Sequence, residues 1–433
     1  MRLTHQQIIV VGVIGVIVVV LVLGFMGVIP GIKKSGVEQD PNFPQEAVKL
    51  TIWGVDLTGK ERQAFIEIAK SYEALHKNVK ASYTGFASFE QFEQALIDAF
   101  AEGTGPDAFM IDSTWVPKHK GKMLPADPRL ATAATAQTLF PDVVTKDFVA
   151  DGQLYALPLD MDGLALIYNK DMFNARSILY APQTWEDVLS VIPKLRMMEG
   201  AKQVKRAALA LGGARNVAAM PDILSALMLQ NGSAINTKEG GVRLDGPAQQ
   251  AVTFYMQFAD PINVYYTWHE GLEGSREAFA SERVAMIVDY AAALLNIRNR
   301  NSFLNIGVAP LPQVNADRPI SFARYQGLAV SRQTRQPYVA WDFVRFITTQ
   351  PANSQMYLTA TGQLPALKSM INTRLGEEKG SFLQGALIAK TWQQADSDAT
   401  KDIFETMILD IAAGRVDVSR AVRAAESQLN QVR

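Results

Sequence analysis

The chain has 433 residues, 42 Lys and Arg against 43 Asp and Glu, a formal net charge of −1 and 48% apolar residues. That balance sustains packed cores and lacks the basic excess a nucleic-acid partner demands, while the length exceeds what one hydrophobic core organises, so two lobes are expected. Cysteine is absent, which excludes disulfides, thiol nucleophiles, thiolate metal sites and the acylated cysteine that anchors a bacterial lipoprotein.

Residues 1–7 are a short tail, and Ile8 to Ile29 is an unbroken run without a charged residue. As a helix this run spans about 33 Å, enough for a hydrocarbon core of ~30 Å, and it reads as a single transmembrane anchor. A cleaved signal peptide is the alternative, but its apolar region runs only ~7–15 residues and ends in small residues, which Gly24 to Val28 do not supply. Arg2 precedes the span while Lys33 and Lys34 follow it, so the positive-inside rule leaves orientation open. Residues 30–46, polar and Pro-containing, suit a juxtamembrane tether.

The folded body is expected from Ala47. Alternation over Val48, Leu50 and Ile52 predicts a strand ending at Trp53-Gly54, and Phe65, Ile68, Ala69, Tyr72 and Leu75 predict a helix from about Lys60. A strand over Val79 to Thr84 follows. Ser88 and Gln91 have capping-box spacing for a helix through Phe100 stopped by Gly103, and Pro106 to Asp112 is a third strand. Strand, helix, strand, helix, strand implies a parallel sheet. Asp151-Gly152 marks a hairpin between Phe148-Val149 and Gln153 to Leu159, and Gly163 to Tyr168 reads as another strand. Ala207 to Leu211 and Val284 to Val288 are strand-like, between helices near Thr184–Met198, Ala218–Gln230 and Pro247–Phe258. Asn305 to Ala309 and Gln326 to Val330 add strands, and the chain reads helical from Tyr338 to its end.

Several segments, in order, resemble the family 1 extracellular solute-binding proteins, the group that includes maltose-binding protein. They are Leu50 to Gly54 (LTIWG), Gly105 to Asp112 (GPDAFMID), Asp151 to Lys170 (DGQLYALPLDMDGLALIYNK), Pro182 to Val188 (PQTWEDV), Ala278 to Asp289 (AFASERVAMIVD), Gly307 to Pro312 (GVAPLP) and Gln326 to Ser331 (QGLAVS). Glu282 stands where the family more often has glycine, and Asp289-Tyr290 replaces its small residue and aromatic.

The resemblance implies an α/β, two-lobed, type II periplasmic-binding-protein fold with an interlobe cleft, preceded here by the anchor. Residues 47–160 and 290–326 are expected in lobe 1, 161–289 and 327–433 in lobe 2, with crossings near Pro158–Gly163, Asp289–Tyr290 and Tyr325–Gly327. Together with the apolar run Ile8 to Ile29, it points to a monomeric, cofactor-free binding protein held at the cell membrane. Its body faces the extracytoplasmic side, and it closes by hinge motion around a small solute, a sugar first, for delivery to the permease subunits of an ABC transporter.

Ligands of open α/β sheets sit beyond the carboxyl ends of the strands. That rule selects Trp53, Asp56, Asp112, Trp115 and Asn216 at strand ends, and Asp160, Asp162, Asp289, Tyr290, Tyr325 and Gln326 at crossings, with Trp268 as a further aromatic wall. Carboxylates and amides beside flat aromatics suit a sugar's hydroxyl edges and C–H faces. Helix capping accounts equally well for Asp56, Asp112 and Asn216, and backbone hydrogen bonding for Asp160 and Asp162.

Other functions are weighed on the same residues. Asp160 and Asp162 have the form of a hydrolase acid pair, but the four histidines (5, 76, 119, 269) show no metal or triad spacing, so no enzyme and no metal site is expected. Tyr265-Tyr266 resembles the paired tyrosines of ferric-iron-binding proteins, and acidic strand ends beside aromatics also suit a polyamine. A ligand-sensing receptor uncoupled from transport would share the fold.

Overall fold

The computed structural model describes residues 42–200, 203–237 and 240–432. The expected anchor, Ile8 to Ile29, lies outside the described residues; among them no helix is long and apolar enough to cross a membrane. By chain contacts Met1–Glu46 is one unit and Ala47–Arg433 another.

Two sheets organise the second unit. The first has parallel strands Val79–Phe86, Val48–Val55 and Ala108–Asp112, in that order, then Gln326–Ser331 antiparallel to the last of them. Met123–Leu124 and Ala156–Pro158 both pair with Gln326–Ser331. The second sheet runs Met197–Glu199, Gln203–Leu209, Val284–Asp289, Ala165–Asn169, Ile306–Pro310, with only the 203–209/284–289 pair parallel.

Local chemistry sets the element ends. Ser88 caps helix Phe89–Glu102 by accepting the Gln91 N–H, and Gly103 ends it at φ 74°, a left-handed conformation glycine adopts without a Cβ clash. Thr184 and Asp187 form a full capping box on helix Trp185–Leu195. That helix is shorter than expected, because Met197–Glu199 leaves it to pair with Gln203–Leu209. The long helical tail is broken into shorter helices, from Pro337–Thr349 to Val418–Gln431.

Each sheet has its own core. Leu50, Ile52, Phe65, Tyr72, Phe92, Phe109, Phe343 and Tyr357 are buried around the first sheet, with the Tyr72 hydroxyl donating to Asp342 Oδ2 at 2.8 Å. Around the second, one apolar cluster joins Leu166, Trp185, Leu209, Ile223, Tyr255, Trp268 and Met286 to Trp392, Phe404 and Ile408 of the C-terminal helices.

The chain crosses between the sheets at 159–164, 311–325 and 362–364. Asp162–Gly163 pairs antiparallel with Ala323–Arg324, bringing two crossings side by side, and Met161 N–H donates to Leu364 O at 3.0 Å in the third. Gly163 lies so close to helix Gly380–Leu387 that a Cβ there would stand 2.4 Å from Ala386 N.

This corrects the expected allocation. Asp289–Tyr290 is no crossing: helix Ala292–Arg300 folds back beside Ser275–Ala280, and Ile306–Pro310 then pairs with Ala165–Asn169 in the second sheet, so most of 290–326 belongs to that lobe. Conversely Gln326–Ser331 is hydrogen-bonded into the first sheet, and helices Pro337–Thr349 and Pro351–Thr361 pack on the first-lobe helix Lys60–Leu75. Both segments are apolar α/β chain, and only strand pairing distinguishes their partners.

Candidate functional site

A polar cluster lies where strands Ala108–Asp112 and Val284–Asp289 end beside the bridging pair Asp162–Gly163 and Ala323–Arg324. At the end of Ala108–Asp112, the Asp112 carboxylate takes the Thr114 N–H at 2.9 Å and the Thr114 hydroxyl at 2.8 Å, both on Oδ1. Its Oδ2 has no hydrogen-bond partner among the described residues. Burial pushes the Asp112 pKa up, against the hydrogen bonds from Thr114 and the nearby charge of Arg324.

Facing it is Arg324, in the strand pair that bridges the lobes. Its Nε lies 2.5 Å from Oδ2 of Asp222, in the first turn of helix Met220–Gln230. The Tyr290 hydroxyl donates to the same oxygen at 2.7 Å, and the Arg324 guanidinium sits 5.9 Å over the Tyr290 ring. Arg324 has protein on most sides yet keeps 57% of its side-chain surface open, as a group standing in a cleft does. Asp222 raises the arginine's pKa further, so it is a permanent cation.

Beside it the fully buried Asp289 takes Arg276 Nε and Nη2, each at 2.7 Å, and its own neighbour's Tyr290 N–H at 2.8 Å. Asp162, register partner of Arg324, accepts the Ala292 N–H at 3.4 Å on Oδ2 at the start of helix Ala292–Arg300. Its buried Oδ1 has no partner. Burial, reinforced by the charge of Asp289, raises the Asp162 pKa to about 8, so near neutrality it holds a proton and can donate.

The structure thus brings Asp112, Asp162, Asp289 and Tyr290 together and sets the other candidates apart. Trp53 is half-buried, its ring 5.4 Å from Phe86. Asp56 is engaged by Arg62, Nε at 2.9 Å and backbone N–H at 3.2 Å, and closes the loop into the following helix. Trp115 is a packing residue rather than an open platform: it is buried, stacked on Phe92 at 6.0 Å and edge-on to His119. Asn216 and Trp268 serve each other. The fully buried indole donates to Asn216 Oδ1 at 3.1 Å, while Asn216 Nδ2 holds the carbonyls of His269 and Leu272, so neither presents a face to a ligand here.

The crossing residues are also inward. Asp160 takes the Gln326 N–H at 3.2 Å and the Tyr357 hydroxyl at 3.4 Å, and burial raises its pKa to about 7. Tyr325 is buried and donates to Asp147 Oδ2 at 2.7 Å; Gln326 holds the crossing through its backbone, accepting the Leu159 N–H at 2.8 Å. Tyr266 is buried, with its carbonyl oxygen taking Arg196, and among the described residues no group of three acidic or histidine side chains is placed to hold a metal.

Arg324, Asp222 and Arg276 did not emerge from the sequence. Arg324 directly precedes the Tyr325–Gln326 crossing, and Asp222 opens a helix after a strand, the criterion that selected Asn216, so both carried a usable signal. Nothing local ties Arg276 to Asp289.

Two lobes joined by three crossings, with ionisable groups gathered where the strand ends face one another, have the architecture of a two-lobed binding protein. The chain belongs to the bacterial extracellular solute-binding proteins, whose family model matches residues 67–382, well over half of it. That family binds solutes and is not one of enzymes. The chain is 23% identical to the maltotriose-binding protein of Pyrococcus abyssi over 75% of this chain and 68% of that one. It is 22% identical to the maltodextrin-binding protein MdxE of Bacillus subtilis over 95% and 96%. Its fold matches the sugar-binding protein MalE of Xanthomonas citri with a TM-score of 0.75 at 16% identity, covering 89% of this chain and 97% of that one.

Proposed function

We propose that this protein captures a carbohydrate between its lobes and hands it to the permease of an ABC transporter, acting as a monomer tethered to the cell surface by Ile8 to Ile29 through the linker 30–46. The observation that carries the ligand class is the juxtaposition of a donor and an acceptor at the cleft. Arg324, on a crossing and held by the second lobe's Asp222, offers donors, and Asp112 Oδ2 of the first lobe an acceptor, with the Tyr290 ring beside the arginine. Adjacent hydroxyls of one sugar ring satisfy a donor and an acceptor at once, and their contacts to both lobes favour the closed state. The names of relatives that bind maltotriose and maltodextrin support the same class.

A thermal-shift screen of the full-length protein against mono- and oligosaccharides, spermidine and ferric citrate tests it. A ligand at ~100 times its dissociation constant stabilises the folded state by about 2.7 kcal/mol. A dose-dependent rise with maltotriose or another oligosaccharide is expected, and a rise confined to spermidine or ferric citrate overturns the carbohydrate assignment.

A further inference from the structure

We propose that Lys118 clasps the mouth of the cleft, pinning the first lobe to the second. The clasp does not depend on which solute the cleft takes. Lys118 lies in the short helix Val116–His119, directly after strand Ala108–Asp112, hence on the ligand-facing end of the first sheet. Its Nζ stands 2.9 Å from Glu93 Oε1 in its own lobe and 3.0 Å from Asp396 Oδ2 in the other.

Both ends of the bridge are fixed beforehand. Glu93 also holds His119 Nε2 at 2.6 Å, and His119 packs against Trp115, which stacks on Phe92, so the acceptor on the first lobe is set by its aromatic core. On the other side Asp396 caps helix Ser397–Ala412, Oδ1 taking the N–H groups of Asp398 and Ala399 at 3.0 Å each and leaving Oδ2 turned outward. An exposed ion pair loses most of its Coulomb gain to ordering two long side chains and to solvent. Here one partner is short and capped, the other is already held, and neither Lys118 nor Asp396 has more than 34% of its side chain exposed.

The groups keep their charges near neutrality. Burial pulls the lysine's pKa down, but Glu93 and Asp396 outweigh it and the net direction is up. Burial pushes both carboxyls up, and Lys118, aided by His119 at Glu93 and the helix N–H groups at Asp396, brings them below the usual carboxylate range. The neighbouring Pro117 and, from the second lobe, Trp392, Gln393 and Ala395 line a pocket of about 70 Å³ that Asp396 also borders, so the two lobes approach each other beside the ion pair. A clasp of this kind raises the population of lobes already close together, which lowers the cost of closing on a solute, while admission of the solute requires the bridge to break.

The test measures the ligand-free, full-length chain. Because it has no cysteine, Glu90→Cys in the first lobe and Ser427→Cys in the second, both at exposed positions, give one clean pair of spin labels for an interlobe distance distribution. Lys118→Met and Asp396→Asn should each move the distribution to longer distance, and the double variant should move it no further than either alone. Asparagine caps a helix as well as aspartate does, so Asp396→Asn removes the charge and keeps the helix end. Raising the salt to 1 M should lengthen the unmodified protein's distance towards that of the variants. Superimposable distributions for Lys118→Met and the unmodified chain overturn the clasp. So does lengthening by Lys118→Met without lengthening by Asp396→Asn, which would place the effect inside the first lobe.

Discussion

Arg324 and Asp222 meet Nε to Oδ2 at 2.5 Å, and the Tyr290 hydroxyl donates to that same oxygen. Asp222 is buried while more than half of the arginine side chain remains open, so the pair joins the second lobe's core to the cleft.

Removing the cation leaves the buried carboxylate with the tyrosine alone. Arg324→Met is expected to cost about 1–3 kcal/mol, limited by the solvent already reaching the arginine, and to weaken binding of maltotriose at least about tenfold. Thermal melting and calorimetric titration of the same variant separate the two effects. A lowered melting temperature with unchanged affinity would assign Arg324 to structure alone.

Asp160 makes stability depend on pH in a stated direction. Its pKa is raised by burial from the ordinary 3.8 to about 7 in the folded state. The folded protein therefore holds a proton the unfolded chain has lost, and the stability this contributes is complete below pH 3.8 and declines as pH rises through about 7. Asp160→Asn removes that dependence. The variant should gain on the unmodified protein as pH rises from 4 to 8, by on the order of 2–4 kcal/mol at the upper end. A difference in melting temperature that stays flat across this range would show that Asp160 is ionised in the fold.

Gly163 tests the rigidity of the crossings. A Cβ there meets backbone on three sides, Ala386 N at 2.4 Å and Gly385 C and Phe382 O at 2.6 Å, and backbone cannot swing aside as a side chain can. Gly163→Ala should cost roughly 3 kcal/mol, read as a lowered urea midpoint with unchanged slope.

Trp268 and Asn216 should behave as core residues. Trp268→Ala removes a fully buried indole and is expected to cost about 3–5 kcal/mol; Trp268→Phe keeps an aromatic but orphans Asn216 Oδ1, costing about 1–3 kcal/mol. Maltotriose affinity of the folded fraction should not change for Trp268→Phe. A tenfold loss would return this pair to the ligand site.

Much of the fold was legible because its signals are local. The caps at Ser88 and Thr184, the stop at Gly103 and the alternation at Val48 to Ile52 each act within a few residues, and the structure starts helices Phe89–Glu102 and Trp185–Leu195, ends the first of them and forms strand Val48–Val55 there. The candidate cluster was legible in part: Asp112 was selected at a strand end and Asp162 at a crossing, while Asp289 and Tyr290, selected for a crossing that does not form there, stand in the same cluster because strand Val284–Asp289 ends beside it. Trp115 and Trp268 are taken up by partners inside their own lobes, Trp115 stacking on Phe92 and Trp268 donating to Asn216, and aromatic character along the chain does not reveal such partners.

By itself, then, the sequence determined the two α/β units, the order of their elements and the family they resemble, since patterning and capping are written along the chain. Which sheet received 290–326 and 327–361 was decided only by the tertiary structure, as were the union of Asp222 with Arg324, of Arg276 with Asp289 and of Lys118 with Asp396. Each of these depends on strand pairing or side-chain contact between residues far apart in the chain, and no local preference encodes the partner.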